Sequence, residues 1–297
     1  METLTDCPVC SGKQFNSFIS CKDYTVSHET FQIAQCASCG FKFTNPRPSE
    51  TEIVKYYQSE DYISHSNTSK GIINSLYKVA RKFTISQKVN LIKSVCPDGK
   101  SILDYGCGTG EFLNGMKKAG WFVNGVEPSK QAQGFAINNY ELHIIEPNEI
   151  NRLRENNFDV ITLWHVLEHI HQLNQTIGVF KKLLKQNGKF IIAVPNCDAA
   201  DVTYYKEYWA AYDLPRHLYH FNSDSMNRLM FTHQLRVVKT LPMPLDAVYV
   251  SMLSEKYKNS SLGLIKGILN GVNTNIKSWS DTKKSSSLIF VIEVSKT

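Results

Sequence analysis

The 297-residue sequence predicts an α/β fold: a doubly wound, mostly parallel sheet with an antiparallel last strand, preceded by a small cysteine-rich module. Three observations carry this prediction. Short β-rich runs alternate with helix-length segments from residue 99 onward, the pattern of a parallel sheet covered on both faces. A glycine-rich loop follows the first of these runs and opens a helix. Two C-x-x-C pairs stand within the first 40 residues, in a stretch too short to build an apolar core of its own.

The composition supports one full core and a small second module, with 42% hydrophobic residues. The longest apolar runs, such as SLIFVIEV, fall well below the ~18 residues of a membrane span. The start METLTDCPVC lacks the basic-then-apolar pattern of a secretory leader. These features predict a cytoplasmic protein without a transmembrane segment. The net charge of +6 suits anionic small molecules and is too small to argue for nucleic acid. Its placement is uneven: residues 251–297 carry seven lysines against three acids, and residues 1–50 hold four basic and five acidic groups.

Cys7-Pro8-Val9-Cys10 and Cys36-Ala37-Ser38-Cys39-Gly40 are separated by 25 residues. Two such turns present four thiolates to a tetrahedral Zn²⁺ that is closed to water, so Cys7, Cys10, Cys36 and Cys39 predict a structural zinc ribbon. A redox C-x-x-C sits between a strand and a helix of a βαβ unit, and neither pair does. Cys21, Cys96, Cys107 and Cys197 read as packing or loop thiols.

The proline-rich stretch Asn45-Pro46-Arg47-Pro48-Ser49 marks a boundary. The expected organisation is a zinc-ribbon module over 1–48, a helical linker or lid over 49–98 and the sheet domain over 99–297. Within 50–96, INSLYKVARKFTISQKVNLIKSV has the apolar period of one or two helices. The alternation then runs SILDYG (strand), EFLNGMKKAG (helix), FVNGVE (strand), KQAQGFAINN (helix), LHII and FDVITLW (strands), IGVFKKLLKQNG (helix) and KFIIAVPN (strand). SSSLIFVIEVSK reads as the closing strand of the sheet, paired antiparallel with VVKTLPMPLDAVYV or with the neighbouring edge. Ligands of such Rossmann-like sheets bind outside the C-terminal strand ends.

The loop Asp104-Tyr105-Gly106-Cys107-Gly108-Thr109-Gly110 lies at such an end. Its G-x-G-x-G spacing differs from the G-x-G-x-x-G of dinucleotide sites. Asp104 and Glu111 flank it, and two carboxylates repel a pyrophosphate but attract an ammonium or sulfonium group. Glu127 ends the second strand, where an acid accepts hydrogen bonds from ribose hydroxyls. S-adenosylmethionine has the ribose, the positive charge and no phosphate.

With that loop, Glu127, FDVITLWHVLEHI after the fourth strand and KQNGKFIIAVPN as the fifth, the chain resembles class I S-adenosylmethionine-dependent methyltransferases over about residues 75–240. The resemblance implies that Asp104 orients the methionine end and that Gly106, Gly108 and Gly110, with Cys107 in the same loop, let the backbone approach the cofactor. It implies that Glu127 holds the ribose, and that Leu163, Trp164 and His165 line the cofactor near its methyl group. IIEPNEI offers Glu146 or Asn148 to the adenine.

His165-Val166-Leu167-Glu168-His169 also matches the H-x-x-E-H pattern of zinc peptidases, which requires both histidines on one helical face. Its place directly after a strand of a cofactor-binding sheet disfavours that reading.

The aromatic-rich segment 198–230 follows a strand end on the ligand side. Within it, Arg216-His217-Leu218-Tyr219-His220-Phe221 is similar to the active-site stretch of bacterial methyltransferases of nucleotide-linked sugars, some of which carry an N-terminal four-cysteine zinc module. The similarity implies His217 as general base, a task that suits a near-neutral imidazole. Arg216 stands where those C-methylating enzymes usually have Glu, and the resemblance does not extend to their large C-terminal domain. Arg216 could meet a substrate phosphate or carboxylate. Structural roles for His217 and His220 remain open at this point.

The expected function is methyl transfer to a small polar metabolite, such as a nucleotide-linked sugar or polysaccharide precursor. An RNA methyltransferase calls for a basic ribbon, which the charge of residues 1–50 disfavours. A non-catalytic zinc-ribbon interaction protein on the same scaffold is the third reading, and a homo-oligomer is compatible with the sequence. Leu262 to Ile276 is amphipathic, with Gly263, Gly267 and Gly271 four apart. Local packing or a lid is the simpler expectation there; the nearby lysines would also suit an anionic membrane surface.

Overall fold

The computed structural model describes residues 1–57 and 72–295. Its contacts gather into two units. One comprises Met1–His65, Leu167–Asn174 and Ala193–Phe290, the other Ser66–Val166, Gln175–Ile192 and Val291–Thr297.

The first unit begins with β1 (Phe15–Lys22), β2 (Thr30–Cys36) and β3 (Lys42–Thr44). β1 and β2 pair antiparallel from Phe15↔Cys36 to Lys22↔Thr30, and β3 joins β2 at Ala34↔Phe43. A 3-10 turn, Ile53–Tyr57, follows and buries Ile53 and Tyr56.

The second unit starts with α1 (Ile72–Val95). Then come β4 (Ser101–Tyr105), α2 (Glu111–Lys118), β5 (Phe122–Val126), α3 (Lys130–Tyr140), the two-residue β6 (Ile144–Ile145) and β7 (Phe158–Trp164). The apolar cores of β4 and β7 are continuous: Ile102, Leu103, Val160, Ile161 and Leu163 are fully buried. That is how strands read when both faces of a parallel sheet are covered.

A 3-10 turn, Leu167–His169, then leads to α4 (Leu173–Leu183) and β8 (Leu184–Pro195). The remaining elements are the single turn α5 (Val202–Tyr205), β9 (Tyr219–His220), α6 (Ser223–Thr232), β10 (Leu235–Pro242), α7 (Pro244–Tyr257), α8 (Gly263–Ser280) and β11 (Ser287–Val294).

Among the described residues, seven strands form one sheet in the order β10-β11-β8-β7-β4-β5-β6. β4 runs parallel to β5 and β7, and β5 parallel to β6. The sheet is mostly parallel with an antiparallel last strand, as the alternation predicts.

Three local expectations differ from the structure. LKQNG already belongs to β8, because helical and two-residue periods overlap on this short segment. PLDAVYV lies in α7, which Pro244 opens at the first helical position, where its missing N–H costs nothing. Part of the segment TEIVKYYQSEDYIS, residues 58–64, lies outside the described residues.

The contacts also divide the chain differently from 1–48, 49–98 and 99–297. The reason is β9: it pairs with β3 at Lys42↔His220 and Phe43↔Tyr219, completing a four-stranded sheet with the cysteine-rich segment. Arg47 Nη1 donates to Tyr219 Oη at 2.9 Å across that seam. The core beneath includes Phe31, Ile33 and Tyr56 together with Tyr205, Trp209 and Tyr212. The aromatic-rich segment therefore supplies core; Trp209 and Tyr212 meet edge to face at 4.9 Å.

Candidate functional site

In the second unit, β4 ends at Tyr105 and the glycine loop bridges to α2. Gly106 has φ +75°, and a Cβ there would come within 2.5 Å of Val166 Cγ2, so both conformation and space require glycine. At Gly108, φ +54°, a Cβ would meet no atom within 4 Å. The loop backbone is thus packed on one side at Gly106 and open at Gly108.

Glu127, just after β5, is tied to this loop. Its Oε2 accepts the Gly108 N–H at 2.8 Å and its Oε1 the Ser129 N–H at 2.9 Å. Each oxygen keeps a second lone pair for another donor. Burial raises its pKa against the pull of those two N–H groups. Asp104 is 3% exposed and accepts the Thr162 hydroxyl at 2.6 Å. Burial pushes its pKa up to about 7, opposed by the Thr162 hydrogen bond and the charge of Lys88. Two buried carboxylates beside an open backbone turn form a place for a cationic group that donates hydrogen bonds.

Further along β7, Leu163 is wholly buried, so its side chain belongs to the core and only its backbone is left for a ligand. Cys107 turns its sulfur toward Gly125, where a Cβ would approach within 2.7 Å, and likewise offers backbone. Trp164 stands edge-on to Phe112 at 5.5 Å, with Lys88 Nζ 4.3 Å from its ring. His165 is half-buried at φ +58°. Glu146 caps the 3-10 turn Pro147–Arg152 and pairs with Lys130, whereas Asn148 is exposed.

In the first unit, His217 is 9% exposed and its Nδ1 lies 2.9 Å from the Ala211 carbonyl. A carbonyl only accepts, so Nδ1 carries the proton and the lone pair is on Nε2. That nitrogen is 3.9 Å from Asp213 Oδ2. The His169 ring meets His217 edge to face, with centroids 4.7 Å apart. Burial and the neighbouring His217 hold the His169 pKa down to about 4, which keeps His169 neutral. His220 is buried against the Thr44 hydroxyl at 3.2 Å, its pKa well below the usual value through desolvation; it is a packing residue.

Arg216 does not offer its guanidinium to a substrate phosphate or carboxylate. It is 1% exposed, with Nε and Nη2 on Asp213, Nη2 also on Asp23 at 3.0 Å and Nη1 on the Tyr56 carbonyl at 2.9 Å. It fixes Asp213, which in turn faces His217.

The H-x-x-E-H pattern is not a helical face: His165 lies outside the 3-10 turn Leu167–His169. Glu168, His169 and His217 do bring one potential ligand atom each within 4.8 Å of one another, a grouping that excludes His165.

Near the N-terminus, the four sulfurs of Cys7, Cys10, Cys36 and Cys39 also lie within 4.8 Å of one another. Cys7 to Cys39 and Cys10 to Cys36 are each 3.6 Å apart. A tetrahedral Zn²⁺ with bonds of about 2.3 Å needs S···S separations of about 3.8 Å. Backbone N–H groups of Val9 and Cys10 point to the Cys7 sulfur, and those of Ser38 and Cys39 to that of Cys36, as two matching knuckles. The donor set and its geometry fit zinc.

Sequence reasoning missed Thr162, Ser129, Asp213 and His169 as partners of these groups. Asp213 is four residues before His217, a spacing that carries no signal unless the intervening turn is known. Thr162 is visible only through the β4–β7 register, which pairs it with Asp104.

Residues 78–240 match the family described as "Methyltransferase domain". A ubiquinone biosynthesis O-methyltransferase from Haemophilus ducreyi is 34% identical over 109 residues, 33% of this chain and 46% of that protein. One from Pasteurella multocida is 32% identical over 114 residues, 33% of this chain and 47% of that protein. The chain spans about half the length of the curated relatives it matches. Among solved structures, magnesium protoporphyrin IX methyltransferase from Synechocystis PCC 6803 with bound S-adenosylhomocysteine superposes with TM-score 0.54. Its identity is 14%, with 84% of this chain and 100% of that chain covered. A Burkholderia thailandensis 1,6-didemethyltoxoflavin-N1-methyltransferase gives TM-score 0.52 at 12% identity, over 88% of this chain and 98% of that one. These likenesses show the fold.

Proposed function

The chain belongs to the methyltransferase domain family, and from that premise we propose that it transfers a methyl group from S-adenosylmethionine to a small polar acceptor. The observation that carries the reading is the pair Asp104 and Glu127 at adjacent strand ends, with Gly108 N–H held on Glu127. S-adenosylmethionine supplies a methyl group on a positively charged sulfur. Asp104 takes its ammonium end, Glu127 accepts the ribose hydroxyls, and the loop backbone at Gly106, Gly108 and Gly110 lies against it. Leu163, Trp164 and His165 line the methyl side.

His217 is the proposed general base. Its Nε2 lone pair would accept the proton of an acceptor hydroxyl or acidic C–H as that atom bonds to the methyl carbon and the carbon–sulfur bond breaks, its electron pair leaving on sulfur as the neutral thioether S-adenosylhomocysteine, and Asp213 would stabilise the resulting imidazolium. Arg216 is a positioning residue for Asp213. The proposed acceptor class is a nucleotide-linked sugar or polysaccharide precursor. The curated likeness covers only a third of the chain, so those relatives' acceptor is not carried over. The four cysteines hold a structural zinc. Cytoplasmic residence belongs to the same proposal.

Incubation with labelled S-adenosylmethionine and fractionated metabolites, nucleotide sugars and phenols included, tests both donor and acceptor. Label entering a sugar nucleotide supports the full reading. Label in a phenol corrects the acceptor alone, and absence of S-adenosylmethionine binding by calorimetry removes the reading.

A further inference from the structure

The helix α8 is built inside out. Its small residues Gly267, Gly271, Thr274 and Ser278 are the buried ones, packed on α7 so closely that a Cβ at Gly267 or Gly271 would reach Met252 or Val248 backbone within 2.6 Å. Its large apolar residues face outward. Leu264, Leu269 and Trp279 are 61%, 64% and 80% exposed, and Ile265, Val272 and Ile276 are exposed beside them. At about 100° per residue these six fall on one stripe roughly 140° wide. Burying small residues while exposing Leu, Ile, Val and Trp is the reverse of what a helix serving only the core requires.

The charges around the stripe select its partner. GLIKGILNGVNTNIKSWS contains no acid, and its two charged residues, Lys266 and Lys277, stand together along one edge of the stripe. Lys256 and Lys258 add exposed positive charge at the end of α7. Among nearby acids, Glu255 is 1% exposed and holds Asn270; Asp281 caps the following turn. A twofold contact between copies would set this lysine-edged face against itself. An anionic bilayer surface complements both parts: acyl chains receive the apolar stripe, headgroups the lysines, and a tryptophan suits their boundary. No helix among the described residues is long and apolar enough to cross a membrane, so the contact is interfacial.

We propose that the outward face of α8 docks this protein on the surface of an anionic phospholipid bilayer. The proposal is independent of the acceptor and of methyl transfer.

The test is flotation of the purified full chain with vesicles of phosphatidylcholine alone and of phosphatidylcholine with about one-third phosphatidylglycerol. The protein is expected to float with the anionic vesicles and at least about tenfold less with the neutral ones. Each lysine near the surface contributes roughly a fivefold factor, so Lys266→Gln/Lys277→Gln should bind about 25-fold more weakly. Ile265→Ser/Leu269→Ser should abolish flotation while leaving the circular dichroism melt and zinc content unchanged, since both side chains are exposed. Tryptophan emission of the wild-type chain should shift to the blue on the anionic vesicles, and Trp279→Phe should lose that shift. Failure of the wild-type chain to float with either vesicle overturns the proposal. So does a concentration-dependent dimer in sedimentation velocity that Ile265→Ser/Leu269→Ser dissolves, because a second copy would then own the face.

Discussion

Arg216 Nη2 lies 3.0 Å from Asp23 Oδ1, a contact between two side chains 193 positions apart that are 1% and 0% exposed. The same guanidinium holds Asp213 and the Tyr56 carbonyl, so it joins the hairpin turn after β1 to the turn that presents His217. Removing one partner of such a pair leaves an uncompensated buried charge. Arg216→Ala is expected to cost about 3–5 kcal/mol of unfolding free energy in urea titration. Arg216→Lys should recover only part, because one ammonium cannot span three acceptors in a plane. Asp23 is held below the ordinary carboxylate range by the Ser27 N–H and Arg216, against the cost of burial. Its contribution is therefore complete above about pH 4 and is lost as pH falls further, a loss absent from Asp23→Asn.

His217→Ala should lower the turnover number by about 10²- to 10⁴-fold with little change in S-adenosylmethionine affinity, as loss of a general base does. Asp213→Asn separates catalysis from support. It removes the negative charge 3.9 Å from Nε2, so the acidic limb of the rate profile should move to lower pH as the imidazolium loses its partner, and the plateau rate should fall as the base weakens. A merely structural role for Asp213 would reduce folded protein without moving that limb. Near wild-type turnover by His217→Ala with a verified acceptor removes the base assignment.

The strands and helices bordering the glycine loop were legible because local signals agree there: β4, α2, β5 and α3 each show their own period and are separated by glycine or a serine cap. The four cysteines were legible because metal spacing is local in sequence. Arg216 was not, since a basic residue before a candidate base reads as a substrate contact until Asp23 is seen opposite it. The integration of the cysteine module was hidden for the same reason. It depends on a two-residue strand, Tyr219–His220, whose pairing with β3 leaves no periodic trace. The glycines four apart in α8 correctly signalled close packing, but which face the leucines would show depended on where α7 lies.

The zinc assignment makes a stoichiometric prediction. Purified protein should carry one zinc per chain by elemental analysis, and Cys7→Ser/Cys10→Ser should carry none. Because β3 of this segment pairs with β9, loss of the metal should lower the thermal midpoint of the whole first unit and not merely fray residues 1–40. A second zinc lost with His217→Ala would instead assign metal to the Glu168, His169 and His217 cluster.

Asp104 gives the sharpest pH prediction. Burial raises its pKa to about 7, so without ligand the carboxyl is largely protonated at pH 6 and largely ionised at pH 8. A raised carboxyl pKa disfavours the folded ionised form, so its cost to the unliganded protein grows from about pH 4 to pH 7 and stays constant above. Ligand binding has the opposite sign: a cationic ammonium requires the carboxylate. S-adenosylmethionine affinity should therefore be level above pH 7 and weaken below it, approaching tenfold per unit, with a proton released on binding near pH 6.5. Calorimetry in two buffers of different ionisation enthalpy measures that proton directly. Asp104→Asn should bind weakly at every pH and release none; a wild-type protein whose affinity is flat from pH 5.5 to 8 would place the cofactor's charge elsewhere.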